Sequence, residues 1–224
     1  MIAPYKFKSN DWSYDRYMTN TLFNSDGLND PIGSLGKYKT NDAYTQMKEI
    51  SKHFKDKRNG IDIGARWGSF TQQLHKEGFK HVFMFEMREY HFRGISFNID
   101  MSRADAYCCA VMDKSGRVSR GGKIVTDTNK GDVPAIAIDD LELPDIDFIK
   151  IDVDGPDRLA LKGCLRTIIK HKPLIYLEAG KEQFDWELKY GDNNVQRPED
   201  VWEVLEMDYE AIKGPENNYI LTPL

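Results

Sequence analysis

Asn59-Gly60-Ile61-Asp62-Ile63-Gly64-Ala65-Arg66-Trp67-Gly68-Ser69-Phe70-Thr71 decides the fold: a short apolar strand runs into a glycine turn that opens a helix, with an acid just before the turn. Gly64 and Gly68 remove side chains where a ligand would approach, the following helix presents its first N–H groups, and Asp62 puts a carboxylate at the carboxyl end of the strand. The spacing is Gly-x-x-x-Gly after Asp. It is not the dinucleotide pattern Gly-x-Gly-x-x-Gly, because Arg66 holds the place of the second glycine, and no Gly-Lys-Ser/Thr follows to make a phosphate loop. A carboxylate also disfavours a bare phosphate, so a ligand with positive charge and hydroxyls fits better. The plainer account is a strand-to-helix turn whose glycines serve only tight packing.

S-adenosylmethionine, with its amino group, sulfonium and ribose, has the chemistry the turn asks for. Further along, Val82-Phe83-Met84-Phe85-Glu86 ends in an acid. It stands roughly twenty residues past the turn, where doubly wound sheets place a carboxylate on ribose hydroxyls. Glu86 is therefore a ribose candidate, against the alternative of a solvated strand-end acid. A nicotinamide dinucleotide would use the same acid, so the choice of cofactor rests on Asp62 and Arg66.

Outward from the turn, strands and helices alternate. A helix is expected from about Asn41 to Lys57, with Ala43, Met47, Ile50 and Phe54 on one stripe. Strands are expected at Gly60–Gly64, His81–Glu86, Ala106–Val111, Asp147–Val153 and Leu174–Glu178, and helices at Gly68–Glu77, Tyr90–Met101, Pro156–Lys170 and Pro198–Glu206. This alternation predicts an α/β fold, a doubly wound and mostly parallel sheet with crossover helices on both faces. Ser115–Val125 reads as a small hairpin, Ala179–Arg197 as a long polar connection carrying Phe184, Trp186 and Tyr190, and Tyr209–Ile212 with Tyr219–Leu224 as an antiparallel edge pair. Residues 1–40 mix Trp12, Tyr14, Tyr17 and Phe23 with polar residues and show no periodicity, so they read as an arm or lid before a domain over 41–224.

Composition narrows the class. With 224 residues and 40% hydrophobic content the chain can bury one sizeable core. A net charge of -5 and the lack of a long basic run argue against bulk nucleic acid as a partner. Cys108, Cys109 and Cys164 form no Cys-x-x-Cys pair and read as reduced, buried thiols. No signal-like or membrane-spanning apolar run is visible, so a cytoplasmic protein without membrane contact is expected.

The fourth strand is richest in chemistry: Asp147-Phe148-Ile149-Lys150-Ile151-Asp152-Val153-Asp154-Gly155-Pro156-Asp157. Strand periodicity puts Lys150, Asp152 and Asp154 on one face. Charges on a central parallel strand need partners, which places the two acids at the strand end facing a cleft and Lys150 one step deeper, paired with Asp152. Alternatively the acids only cap the next helix and neutralise Lys150. The fifth strand ends in Glu178, so Asp152, Asp154 and Glu178 are expected to converge, either as oxygen ligands for a divalent metal such as magnesium or as a base for a hydroxyl. The third strand end places Ala110 where it could flank an adenine. Asp139 and Asp140, in Ala137-Ile138-Asp139-Asp140-Leu141, are as readily turn residues or helix caps. His53, His75 and His91 are expected to be exposed on helices, and none of the five histidines is assigned as a base.

Taken in order, Ile61–Thr71, Phe85-Glu86, Ile138–Leu141, Phe148–Gly155 with Leu161-Lys162-Gly163, and Pro173–Glu178 resemble the FkbM-type family of S-adenosylmethionine-dependent methyltransferases. The resemblance implies a seven-stranded class I (Rossmann-like) sheet whose last pair is antiparallel, with the methionine and ribose parts of the cofactor over Asp62, Gly64, Gly68 and Glu86. Ala65, Arg66, Phe70 and Thr71 around the turn, Met87 after the second strand, and Ala110 and Asp152 on neighbouring strand ends complete the expected cofactor contacts. The sequence departs from the family pattern at Asp154, where glutamate is usual, at Arg66, where asparagine is frequent, and at Pro156-Asp157-Arg158.

The resulting expectation is methyl transfer from S-adenosylmethionine to a hydroxyl oxygen of a small molecule or sugar. Asp152 and Asp154 then stand on the acceptor side with Glu178 third, and the arm and the 179–197 connection act as lids. Rival readings are an NAD(P)-linked oxidoreductase on a similar sheet and a cofactor-binding protein without turnover.

Overall fold

The computed structural model describes residues 5–6, 43–119, 131, 133–178, 208–214 and 218–224. Helix α1 covers residues 43–50 and tightens into a three-ten turn at Ser51–His53. There follow β2 (Asn59–Ile63), α2 (Ser69–Glu77), β3 (His81–Phe85), α3 (Glu89–Asn98), β4 (Ala104–Cys108), β5 (Ala110–Val111), β6 (Gly116–Val118) and β7 (Val133–Ile136). After a three-ten turn at Ile138–Asp140 come β8 (Ile146–Ile151), α4 (Asp157–Lys162), α5 (Leu165–His171), β9 (Leu174–Glu178), β10 (Tyr209–Lys213) and β11 (Asn218–Pro223).

The main sheet has the order β1-β4-β3-β2-β8-β9-β11-β10, where β1 is Tyr5–Lys6. From β4 to β9 the strands are parallel, and β10 and β11 close one end as an antiparallel pair. These are the seven expected strands of a doubly wound, Rossmann-like fold. Tyr5–Lys6 adds an eighth, antiparallel to β4, inside the stretch expected to be an irregular arm. The rest of that arm, the 179–197 connection with Trp186 and Tyr190, and the Pro198–Glu206 helix lie outside the described residues.

Period-two alternation sends strand side chains to two apolar layers. Ile61, Ile63, Phe85, Ile149 and Ile151 meet Ala160, Leu161 and Ile168 on one face. On the other, Val82, Met84 and Phe148 meet Met47, Ile50, Phe70, Leu74, Phe92 and Ile95. The second face also receives Asp62 and Lys150, which sit opposite each other in the β2–β8 register.

The first helix stops at His53 rather than Lys57 and α3 at Asn98 rather than Met101, and three further elements are divided or paired differently from the sequence reading. The expected strand Ala106–Val111 breaks at Cys109: Glu86 N still bonds Tyr107 O, but Met112 N bonds Ile136 O, so the chain leaves the main sheet for a small one of order β5-β7-β6. The hairpin partner of Gly116–Val118 is therefore Val133–Ile136, while Lys123–Val125 lies outside the described residues. The single helix expected over Pro156–Lys170 is two, because Gly163 lies so close to the chain after β5 that a Cβ there would sit 2.0 Å from Met112 O. Asp139 then caps the second helix, accepting from Arg166 N and Thr167 N at 2.8 Å each, which gives the Ile138–Leu141 stretch the capping role. Among the described residues no helix is long and apolar enough to cross a membrane.

Candidate active site

The glycine turn connects β2 to α2 at the carboxyl edge of the parallel strands, the edge where open α/β sheets bind ligands. Its backbone is tied to the next strand: Gly64 N and Ala65 N both donate to Phe85 O, at 2.9 and 3.0 Å. Gly64 has φ +78°, and a Cβ on it would fall 1.8 Å from Asp152 O; Gly68 has φ +86°, and a Cβ there would meet Ile99 at 2.6 Å. Each glycine is thus required by backbone conformation and by close packing against β8 or the residue after α3.

Asp62 lies in the interior. It is fully buried, accepts from Thr71 Oγ1 at 2.7 Å, and lies 3.3 Å from Lys150 Nζ. Register explains this: adjacent parallel strands put residue 62 beside residue 150 on the face that α2 covers. Phe70 and Thr71, expected at the cofactor, likewise turn their side chains into the protein. Phe70 stacks between Phe148 and Tyr176 at centroid distances of 5.9 and 6.0 Å. The carboxylate that does reach the surface is Asp152, 3.4 Å from Lys150 Nζ with its side chain 40% exposed. Burial pushes the Lys150 pKa down, but the Asp152 and Asp62 carboxylates outweigh it and hold the amine charged.

Glu86 closes the other side of the turn. Its Oε2 accepts from Arg66 N at 2.9 Å and its Oε1 from Arg88 N at 2.7 Å, so the carboxylate is buried and fixed rather than solvated. His91, expected on an exposed helix face, is buried: its Nδ1 lies 3.8 Å from Glu86 Oε1 and its ring meets Trp67 edge-on at 4.6 Å. The missed signal is helical spacing, because His91 shares the inward face of α3 with Phe92 and Ile95. Gly94 leaves room for Trp67, whose ring would lie 2.3 Å from a Cβ there. Arg66 is exposed with φ +50°, and its charge helps to lower the Asp152 pKa. Met87 packs against the small apolar cluster of Ala110, Met112, Val118, Val133, Ala135 and Leu159, which brings this expected cofactor contact to the cluster that holds Ala110.

At the end of β8 the expected convergence is present. One carboxylate oxygen from each of Asp152, Asp154 and Glu178 lies within 4.8 Å of the others. Asp154 is exposed at φ +57°, at the apex of a turn held from inside by Asp157, whose carboxylate accepts from Val153 N at 2.8 Å and Gly155 N at 3.0 Å. Burial pushes Asp157 up to about 6 despite those two bonds. The Lys150 ammonium holds Asp152 below the usual carboxylate range, whereas burial and the neighbouring, hydrogen-bonded Asp152 push Glu178 up to about 8. Glu178 therefore carries the proton of the pair near neutrality and donates it to Asp152. Chemically, the cluster can take up a proton from a hydroxyl or hold a hard cation.

The sequence model of the Methyltransferase FkbM domain matches residues 62–211, from the turn acid through every strand-end acid described above. The chain belongs to the FkbM methyltransferase family. None of the curated proteins matches it. Among solved structures, it is similar to a methyltransferase FkbM from Methylobacillus flagellatus KT, with 22% identity over 73% of this chain and 43% of that one and a TM-score of 0.48. It is also similar to the Pyrococcus abyssi tRNA (uracil-54, C5)-methyltransferase in complex with S-adenosyl-L-homocysteine, with 15% identity over 82% and 38% of the two chains and a TM-score of 0.42. The chain thus spans less than half the length of either structure. Within the FkbM domain, the buried Asp62–Lys150 pair and the Asp152–Glu178 pair are successive layers of one strand edge.

Proposed function

We propose that the chain transfers the methyl group of S-adenosylmethionine to a hydroxyl oxygen of a small molecule or sugar. The donor set fits that cofactor in chemistry: Asp152 for its cationic amino acid end, Arg66 for its carboxylate, Glu86 for its ribose diol, and Met87 with Ala110 for the adenine face. The observation that carries the reading is the clustering of the Asp152, Asp154 and Glu178 carboxylates within 4.8 Å beside the glycine turn.

Bound S-adenosylmethionine would supply an electrophilic methyl group. The chain's own part is alignment and proton removal. With its proton on, Glu178 donates to Asp152 and the pair is a weak base. Once Glu178 has lost it, near pH 8, its Oε can accept the acceptor hydroxyl's proton as the oxygen takes the methyl group. Asp154, one methylene shorter than the usual glutamate, is exposed at the mouth and faces an incoming hydroxyl compound. The net charge of -5 favours a neutral or cationic acceptor over a polyanion.

Calorimetric titration with S-adenosylmethionine, its demethylated product and NAD tests the cofactor; tight NAD binding without a response to the others would overturn the proposal. Turnover on a panel of hydroxyl-bearing acceptors, with and without magnesium, separates an enzyme from a binding protein. The acid cluster also supports a metal-assisted variant, in which magnesium binding would be measurable in wild type and lost in D154N.

A further inference from the structure

Lys150 is a buried cation at the junction of both halves of the site, and the proposed chemistry gives it no step. Its ammonium lies 3.1 Å from Gly64 O, 3.4 Å from Ile63 O, 3.3 Å from Asp62 Oδ1 and 3.4 Å from Asp152 Oδ2. The ring of Phe70, from the first turn of α2, lies beneath it at 5.6 Å. Two of these oxygens belong to the backbone of the glycine turn and one to the acid that reaches the surface. If neutralising Asp62 were its whole task, contact with the turn carbonyls and with a half-exposed acid would be unnecessary.

We propose that Lys150 is a positioning residue for the methyl donor: it clamps the Ile63-Gly64 backbone and the Asp152 carboxylate into one fixed unit, so that donor affinity depends on it. The inference rests on the functional reading above. It acts through geometry, because an ammonium with three donors in reach of four oxygens fixes their separations, and Gly64 already touches the Asp152 carbonyl so closely that no side chain fits between them.

Lys150→Met alone strands Asp62 as an uncompensated buried charge and would test folding more than binding. The comparison is therefore made in a D62N background, between D62N and D62N/K150M, by thermal unfolding and by calorimetric titration with S-adenosylmethionine. The expected result is a thermal midpoint in the double variant no lower than in D62N, because a methionine buries no charge, together with at least tenfold weaker donor binding. Equal affinity in the two variants would overturn the proposal and leave Lys150 as a charge neutraliser. So would a double variant that fails to fold while D62N folds, or a folded D62N that binds no donor, since the clamp would then belong to Asp62. Wild-type protein that binds no S-adenosylmethionine overturns the functional reading and this inference with it, which keeps the two failures distinct.

Discussion

Burial and the Asp152 carboxylate push Glu178 up to about 8 from an ordinary 4.5, and burial pushes Asp157 up to about 6 from 3.8. An acid whose folded pKa exceeds its unfolded one holds its proton more tightly in the native state. Its stabilising contribution is therefore complete below the unfolded value and is lost as pH rises through the folded value. The thermal midpoint should fall between about pH 4 and 8, with Asp157 and Glu178 both contributing up to about pH 6 and Glu178 alone above it. In E178Q the fall above pH 6 should disappear and the fall below it should become shallower; an undiminished slope in that variant would show that Glu178 titrates normally. At Gly64, a Cβ would lie 1.8 Å from Asp152 O at φ +78°. Strain of this kind costs about 1–3 kcal/mol before the clash is counted, so Gly64→Ala should lower the urea midpoint markedly, whereas a turn glycine kept only for a ligand would tolerate alanine. At this scale residue types were legible in the sequence and side-chain directions were not: Asp62, Phe70 and Thr71 point inward because strand register and helix phase, not residue type, decide which face is covered.

At the scale of elements, spacing was informative wherever one strand or helix carried a full apolar period. The bounds Leu174–Glu178 agree with expectation, and those of β2, β3 and α2 differ from it by a residue or so. It was uninformative where an element ends by meeting something distant in sequence. Nothing local in Ala106–Val111 signals that the ladder passes from β3 to β7 at Cys109, and nothing local in Pro156–Lys170 signals the Met112 carbonyl pressed against Gly163. Asp139 is the element-scale case that can be tested. It serves α5 from outside that helix by accepting Arg166 N, Thr167 N and Thr167 Oγ1. Replacing such a cap with alanine costs about 0.5–2 kcal/mol. Asp139→Ala should therefore destabilise the fold by that amount in urea unfolding while leaving donor affinity unchanged within error, since the capped helix end is not part of the proposed cofactor site; a large loss of affinity at unchanged stability would instead place Asp139 in the site.

At the scale of the described fold, four of the five parallel strands, β2, β3, β8 and β9, end at or beside an acid on the carboxyl edge, and two apolar layers pack against the sheet from either face. A ligand that binds there links β2, β3 and β8, the centre of the sheet, so its binding energy should appear as global stability rather than as local ordering. Mass action sets the size: a ligand at a hundred times its Kd stabilises by about 2.7 kcal/mol. S-adenosylmethionine at that excess should raise the unfolding free energy by this amount and raise the thermal midpoint with it. Glu86 separates a ligand contact from a structural tie, because its carboxylate already joins Arg66 N to Arg88 N. Glu86→Gln keeps an acceptor oxygen for one of those N–H groups, turns an amide NH2 toward the other, and removes the charge and the second oxygen that a ribose diol would use. The lost backbone acceptor should cost about 1–3 kcal/mol without ligand; if Glu86 binds the ribose, the variant should also show little or no shift with S-adenosylmethionine. A full ligand-induced shift in Glu86→Gln would mean that the acid only ties the two turns together, and the ribose would then have to lie elsewhere along the same edge.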